Sequence, residues 1–241
     1  MTGKDTLFDT PQPDMQAFQF DERVASVFSD MINRSVPGYA MTLEMIGVIT
    51  RAHAQPGSRL YDLGCSLGGS TLAMRRAAPE GCEIIAVDTS APMLERCRIN
   101  IDREPEGVPV TLLEQDIRHT TFENATLVTL NFTLQFIPEA DRLPLLTRIA
   151  DGMHEGGALV LSEKIHFDDP VTQAQLTELH HGFKRARGYS DLEIAQKRAA
   201  LENVLIPETL ETHLTRLRQA GFSHAACWFQ CFNFISVLAV K

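Results

Sequence analysis

The chain has 241 residues, enough to bury a sizeable core around one sheet. Lys and Arg total 22 against 31 Asp and Glu, a net charge of −9. That balance argues against direct binding to a nucleic-acid backbone, which rests on phosphate neutralisation by Lys and Arg. No run of about 18 apolar residues occurs, so no membrane span is expected. The segment Met1-Thr2-Gly3-Lys4-Asp5 lacks the apolar stretch of a signal peptide. The five cysteines are odd in number and lie mostly in apolar stretches, a pattern of reduced, buried thiols that fits the cytoplasm. Cys227 and Cys231 have no second pair, so core packing is expected there rather than metal.

In chain order, residues 1–20 carry Pro11, Pro13 and several Asp and read as a loose arm. Val24, Val27, Phe28, Met31 and Ile32 recur at helical spacing, so 21–34 is an amphipathic helix. Pro37-Gly38 breaks it, and a second helix runs from Tyr39 to His53. Strands are expected near 58–63, 83–88, 109–114, 125–131, 157–163, 223–230 and 233–240. Helices are expected near 70–78, 91–102, 139–151 and 207–220. This alternation implies a doubly wound, mostly parallel seven-stranded sheet, a Rossmann-like α/β fold. The short turn at Phe232-Asn233 can link only antiparallel neighbours, so the seventh strand is antiparallel. The plan is one domain over 1–241, with an N-terminal arm and helices in 1–55 and a helical insertion in 166–206. That insertion is dense in cations: Lys184, Arg185, Arg187, Lys197 and Arg198. Most of them read as a solvated helical surface. The sharper reading is a lid over the strand ends that carries substrate-binding cations.

The most specific local signal is Leu60-Tyr61-Asp62-Leu63-Gly64-Cys65-Ser66-Leu67-Gly68-Gly69, followed by Ile84-Ile85-Ala86-Val87-Asp88. An apolar strand, a glycine turn, a helix and a second strand ending in an acid build a small-molecule site. A dinucleotide fingerprint would place glycine at 64, 66 and 69. Ser66 stands in the middle, where a side chain hinders approach to a pyrophosphate. Counted by twos, Asp62, Gly64, Ser66 and Gly68 fit the acid-x-Gly-x-Gly-x-Gly turn of S-adenosylmethionine (SAM) enzymes, with one Gly replaced. A plain βα turn without ligand is the weaker reading, because an acid ends the next strand. Gly64, Cys65 and Ser66 are expected along the methionine part of SAM. Asp88 is expected on the ribose hydroxyls, with Thr89 beside it, in preference to a role as a helix N-terminal acid. Asp116 is placed to accept from the adenine amino group and Ile117 to pack on the ring, against a simple turn role. Asn131 ends the fourth strand near the methyl-bearing sulfur, or merely caps the strand end. The eight histidines form no His-Glu-x-x-His and no i,i+4 pair, so no metal is expected. The Gly-x-Ser-x-Gly spacing of Gly64-Cys65-Ser66-Leu67-Gly68 belongs to this turn and does not stand in a hydrolase-like order, so covalent catalysis is not expected.

The runs LYDLGCSLGGSTL, LERCR, LNFTLQFIP, SEKI, QKRAALENVLIPETLETH and WFQCFNF resemble the carboxy-S-adenosyl-L-methionine (carboxy-SAM) synthase family of bacterial tRNA modification. The resemblance spans nearly the whole chain. It departs at Gly69, where the family pattern has Ala, and at Thr89, where it has Asn. It implies the class I SAM-dependent fold and conversion of SAM and prephenate to carboxy-SAM and phenylpyruvate. It implies a homodimer and a downstream tRNA carboxymethyltransferase that modifies the wobble uridine, consistent with an acidic protein that does not itself meet tRNA. By the same resemblance, Arg198 pairs with the carboxylate of carboxy-SAM, from its own subunit or across the dimer, and Tyr39 closes over the ligand. No side-chain base is assigned. The competing readings are a conventional small-molecule methyltransferase, which would want an acceptor-orienting group where Arg198 stands, and a SAM-binding regulatory protein without turnover.

Overall fold

The computed structural model describes residues 3–12 and 17–241. Its centre is a seven-stranded sheet in the order β3-β2-β1-β4-β5-β7-β6. The strands are β1 (Arg59–Leu63), β2 (Glu83–Asp88), β3 (Val110–Glu114), β4 (Ala125–Asn131), β5 (Met153–Lys164), β6 (His224–Cys231) and β7 (Phe234–Val240). β7 runs antiparallel between β5 and β6, and the remaining pairs are parallel. The helices are α1 (Glu22–Ser35), α2 (Tyr39–His53), α3 (Gly69–Arg75), α4 (Ala91–Asp102), α5 (Glu139–Asp151), α6 (Pro170–Ala186), α7 (Asp191–Leu201) and α8 (Leu210–Gln219).

The central strands read as apolar runs because both of their faces are covered. Leu60, Leu127, Ala158 and Val160 pack with Ile46 of α2 and Met74 of α3 on one face. Their neighbours Tyr61, Leu63, Val128, Leu130, Leu159 and Leu161 pack with Leu145, Leu146 and Ile149 of α5 and Leu217 of α8 on the other. The period of two along each strand thus splits one apolar segment between two layers.

Helix starts follow local chemistry. Asp21, Ser90, Asp169 and Thr209 each accept a backbone N–H at the N-terminus of α1, α4, α6 and α8. Ser190 and Glu193 form a reciprocal capping box on α7. Thr209 explains why α8 starts at Leu210 rather than at 207. β5 begins at Met153, earlier than expected, because Met153 pairs with Ala125 before a register shift restores regular pairing at Leu127 and Ala158.

The arm over residues 1–20 is not loose where it is described; Met1, Thr2 and Pro13 lie outside the described residues. Asp5 is 1 % exposed. Its N–H donates to Asp30 Oδ2 at 2.8 Å, and its carboxylate accepts from the Tyr189 hydroxyl. Gln196 of α7 donates to the carbonyls of Phe8 and Thr10, both at 2.9 Å, and accepts from the Gln12 N–H at 2.7 Å. The arm is therefore a strap across the insertion. At the far end of the insertion, fully buried Arg142 pairs with Glu208 and donates to the carbonyls of Ile137 and Ile206 at 2.8 and 3.0 Å.

Candidate active site

The order of strands reverses between β1 and β4, and the crevice beyond their carboxyl ends is where open α/β sheets bind ligands. A cavity of about 650 Å³ occupies that place. Tyr39, Gly64, Cys65, Ser66, Asp88, Thr89, Asp116, Ile117, Asn131 and Arg198 all line it.

The turn after β1 is held by backbone geometry. Gly64 has φ +78°, and a Cβ there would collide with the Thr133 side chain. Ser66 also takes a left-handed conformation, φ +50°, which costs a non-glycine residue about 1 kcal/mol or more. Asp88 compensates: its Oδ2 accepts from the Ser66 N–H at 2.8 Å and its Oδ1 from the Ser90 N–H at 2.9 Å. One carboxylate therefore ties the β1 turn to the start of α4. Burial pushes its pKa up, and the backbone donors pull against that shift. Each oxygen keeps acceptor capacity for a ligand hydroxyl.

Beneath the turn, Asp62 is fully enclosed and accepts from Thr71 Oγ1 at 2.6 Å and Thr129 Oγ1 at 2.8 Å. Burial raises its pKa to about 6 against those hydroxyls. Tyr39, at the start of α2, projects its hydroxyl to where a side chain on Gly69 would begin: a Cβ there would lie 2.7 Å from it. Burial and the Asp62 charge keep the Tyr39 phenol protonated well above its ordinary range. Asn131 donates to Ser70 Oγ at 3.1 Å, while its Oδ1 is buried with no donor among the described residues. An orphaned acceptor on the cavity wall fits the ammonium of an amino-acid ligand, such as the methionine part of SAM. Cys65 is buried, and the adjacent Cys97 thiol together with burial holds it protonated. Asp116 is engaged by Arg118, which donates through its backbone N–H at 2.8 Å and its guanidinium Nη2 at 2.6 Å. These bonds, the side-chain contact foremost, depress its pKa and occupy part of the carboxylate. Ile117 is buried beside it, and Thr89 is exposed.

The opposite wall comes from the insertion and the end of β5. The expectation of a solvated cationic surface holds for Arg185, exposed and paired with Glu178 and Asp191, and for exposed Arg187. It fails for Lys184 and Lys197, each 6 % exposed and facing the cavity. The strap and α1 cover them, and no local pattern in 166–206 reveals a cover built from residues so distant in sequence. Arg198 is exposed, lining the cavity on one side and an outer groove with Asp191, Ala195 and Glu202 on the other. Lys164 ends β5 on the same wall; burial lowers its pKa, with the Arg198 charge adding to the effect. Sequence reasoning did not single out Lys164 as a site residue. The signal was Ser162-Glu163-Lys164 closing an otherwise apolar strand. Within it, Glu163 is fully buried and accepts from the Leu134 and Gln135 N–H groups, both at 3.0 Å, fixing the loop after β4.

Among the described residues no helix is long and apolar enough to cross a membrane, and no three His, Cys, Asp or Glu side chains cluster as metal ligands.

A model of the methyltransferase domain matches residues 60–157, the half of the sheet that carries the glycine turn. Among solved structures, an O-methyltransferase family protein from Burkholderia thailandensis superposes with TM-score 0.64 at 18 % identity, covering 92 % of this chain and 60 % of that one. Magnesium protoporphyrin IX methyltransferase from Synechocystis gives TM-score 0.62 at 14 % identity, covering 88 % and 87 %. These likenesses establish the class I SAM-dependent methyltransferase fold and nothing finer. Sequence relatives go further. The carboxy-S-adenosyl-L-methionine synthase of Hahella chejuensis is 60 % identical over 99 % of both chains. That of Trichlorobacter lovleyi is 58 % identical over the full length of both, and that of Cronobacter sakazakii 55 % over 100 % of this chain and 98 % of the relative. These matches run over nearly the whole of this chain and of each relative, and the chain belongs to the carboxy-S-adenosyl-L-methionine synthase family.

Proposed function

We propose that this protein is a transferase that converts SAM and prephenate to carboxy-SAM, phenylpyruvate and water. The observation that carries the reading is end-to-end similarity to relatives of that name, the insertion included. A methyltransferase domain alone would support only SAM chemistry.

The roles follow from the cavity. Gly64, Cys65 and Ser66 run along the methionine part, and the Asn131 amide oxygen accepts from its ammonium. Asp88 takes the ribose hydroxyls with Thr89 beside it. Ile117 packs on the adenine, and Asp116 retains acceptor capacity for the amino group beyond its Arg118 contacts. Tyr39 closes the methionine end. The sulfonium acidifies its methyl group. Prephenate aromatises by losing carbon dioxide and hydroxide; the hydroxide takes a methyl proton to become water, and the ylide forms a carbon–carbon bond to the carbon dioxide. No side-chain base is needed. What the chain supplies is orientation, exclusion of water, and a cation for the new carboxylate. Arg198 fits that last task, since a guanidinium meets a carboxylate with two parallel hydrogen bonds. The 166–206 insertion acts as the lid of a single 1–241 unit. Its partly apolar outer face, with exposed Val171, Leu179 and Leu192, supports a homodimer in which the Arg198 groove meets the second subunit. The product supplies a tRNA carboxymethyltransferase acting on the wobble uridine in the cytoplasm.

The fold neighbours favour one alternative, methyl transfer to a small acceptor. Mass spectrometry of the adenosyl product formed from SAM and prephenate separates the two. A product heavier than SAM by one carbon dioxide supports the synthase. S-adenosylhomocysteine formed in step with a methylated acceptor supports the methyltransferase.

A further inference from the structure

Lys184 and Lys164 stand out among the charged groups of the cavity. Lys184 is 6 % exposed, and among the described residues neither lysine has an ion-pair partner. Three cations crowd one aromatic ring: Arg34 lies 3.8 Å from the Tyr189 centroid, Lys184 5.4 Å and Lys197 5.5 Å. The nearby anions are committed elsewhere. Asp5 accepts from Tyr189 and stands 3.7 Å from Lys197. Asp30 pairs with Arg34 at 3.0 Å. Glu193 closes the α7 capping box. A buried ammonium without a counter-ion is costly, and a bound anion would offset that cost. Burial, then the neighbouring Lys197 and Lys164, push the Lys184 pKa down to about 7, as expected of cations waiting for an anion.

We propose that Lys184 and Lys164 form the seat for the pyruvyl-chain carboxylate of the substrate, the carboxylate that survives unchanged in phenylpyruvate. The inference rests on the prephenate reading above and deepens it. A dianion with two separated carboxylates needs two cationic seats in one cavity. Arg198, exposed at the mouth, suits the carboxyl group that leaves and is recaptured. The two enclosed lysines suit the one that must stay fixed while its neighbour departs. Neutral His180 belongs to their support: its Nε2 contacts the Ser35 carbonyl at 2.8 Å, its ring packs edge-on to Phe234, and burial drops its pKa to about 3.

The test is Lys184→Met, with Lys164→Met as a second variant. Steady-state kinetics should give a KM for prephenate raised about ten- to a hundredfold, the loss of one hydrogen bond to a charged group. The dissociation constant for SAM should stay within about twofold. Competitive inhibition by phenylpyruvate should weaken in parallel, because that product retains the carboxylate. Removing an uncompensated buried charge should also leave the free protein as stable as the parent or more so, whereas a lysine kept for structure would lower the melting temperature. In the parent, the KM for prephenate should rise as pH climbs through 7 to 9 and Lys184 loses its proton. The groups facing it are Lys164 from β5, Lys197 and Glu193 from α7, Asp5 from the strap, Arg34 from α1 across the Tyr189 ring and His181 from its own helix. In Lys184→Met that rise should flatten. An unchanged KM in both variants overturns the seat and leaves the reaction standing. A raised KM with unchanged phenylpyruvate inhibition overturns the choice of carboxylate. Prephenate that binds the parent with lysine dependence but is not consumed overturns the reaction and leaves the anion seat. Prephenate that neither binds nor reacts overturns both.

Discussion

Asp88→Asn is a sharper probe of the cofactor end than truncation, because both carboxylate oxygens are already acceptors. Ser66 N–H donates to one at 2.8 Å and Ser90 N–H to the other at 2.9 Å. Whichever way the amide is turned, its NH₂ confronts a backbone donor. One of the two bonds is lost and one buried N–H is left unpaired, at a cost of about 1–3 kcal/mol. In a chain of 241 residues, each kcal/mol lowers the melting temperature by roughly 2–4 °C. Ligand binding suffers separately. The ribose loses a charged acceptor, worth about 1.5–3 kcal/mol, and the left-handed Ser66 loses the bond that fixes it. The affinity for SAM should fall about ten- to a hundredfold, and that for carboxy-SAM by the same factor, because the two share the ribose. Calorimetric titration of both ligands beside thermal denaturation of the free protein measures the two effects independently. A variant with the expected drop in melting temperature but parental affinity for either ligand would refute the ribose role and leave Asp88 as a brace of the turn.

Arg198→Ala should erase the preference for carboxy-SAM over SAM while the melting temperature holds, since the side chain is exposed; the ratio of the two dissociation constants is the readout. Asp62→Asn should gain stability relative to the parent as pH rises. The folded pKa of about 6 lies above the unfolded value of 3.8, so the native state holds the extra proton between them. The parent loses that contribution, up to about 3 kcal/mol, as pH climbs through 4 to 6, and the amide does not. Denaturant melts at pH 4 and pH 7 give the difference. Arg142→Met strands Glu208 in the interior beside Arg216 alone and frees the carbonyls of Ile137 and Ile206. A destabilisation of about 3–5 kcal/mol is expected in the same melts.

The sheet was legible because β and α alternate at regular spacing and the strands are apolar on both faces. The helices expected near 91–102 and 139–151 are α4 and α5. The acid after β2 and the glycine turn after β1 were legible because a local motif carries them. What pattern reading missed depends on contacts across the chain. Asp5 looks like a stray acid in a polar arm, yet its partners are Arg34, Tyr189 and Lys197. Lys184 looks like one cation among five, and only the ring of Tyr189 and the strap make it a buried one. Arg142 carries no local sequence signal of burial, and its partner Glu208 comes from just past the end of the insertion.

The proposed reaction requires that the carbon of the new carboxylate come directly from prephenate inside a closed cavity. The direct test is turnover of SAM with prephenate labelled at the ring carboxylate, in buffer containing unlabelled bicarbonate, with the isotope content of carboxy-SAM read by mass spectrometry. Nearly undiluted label in carboxy-SAM and one phenylpyruvate per carboxy-SAM are expected. Label that equilibrates with bicarbonate would contradict a cavity that holds the carbon dioxide until capture, and failure to consume prephenate would contradict the reaction itself.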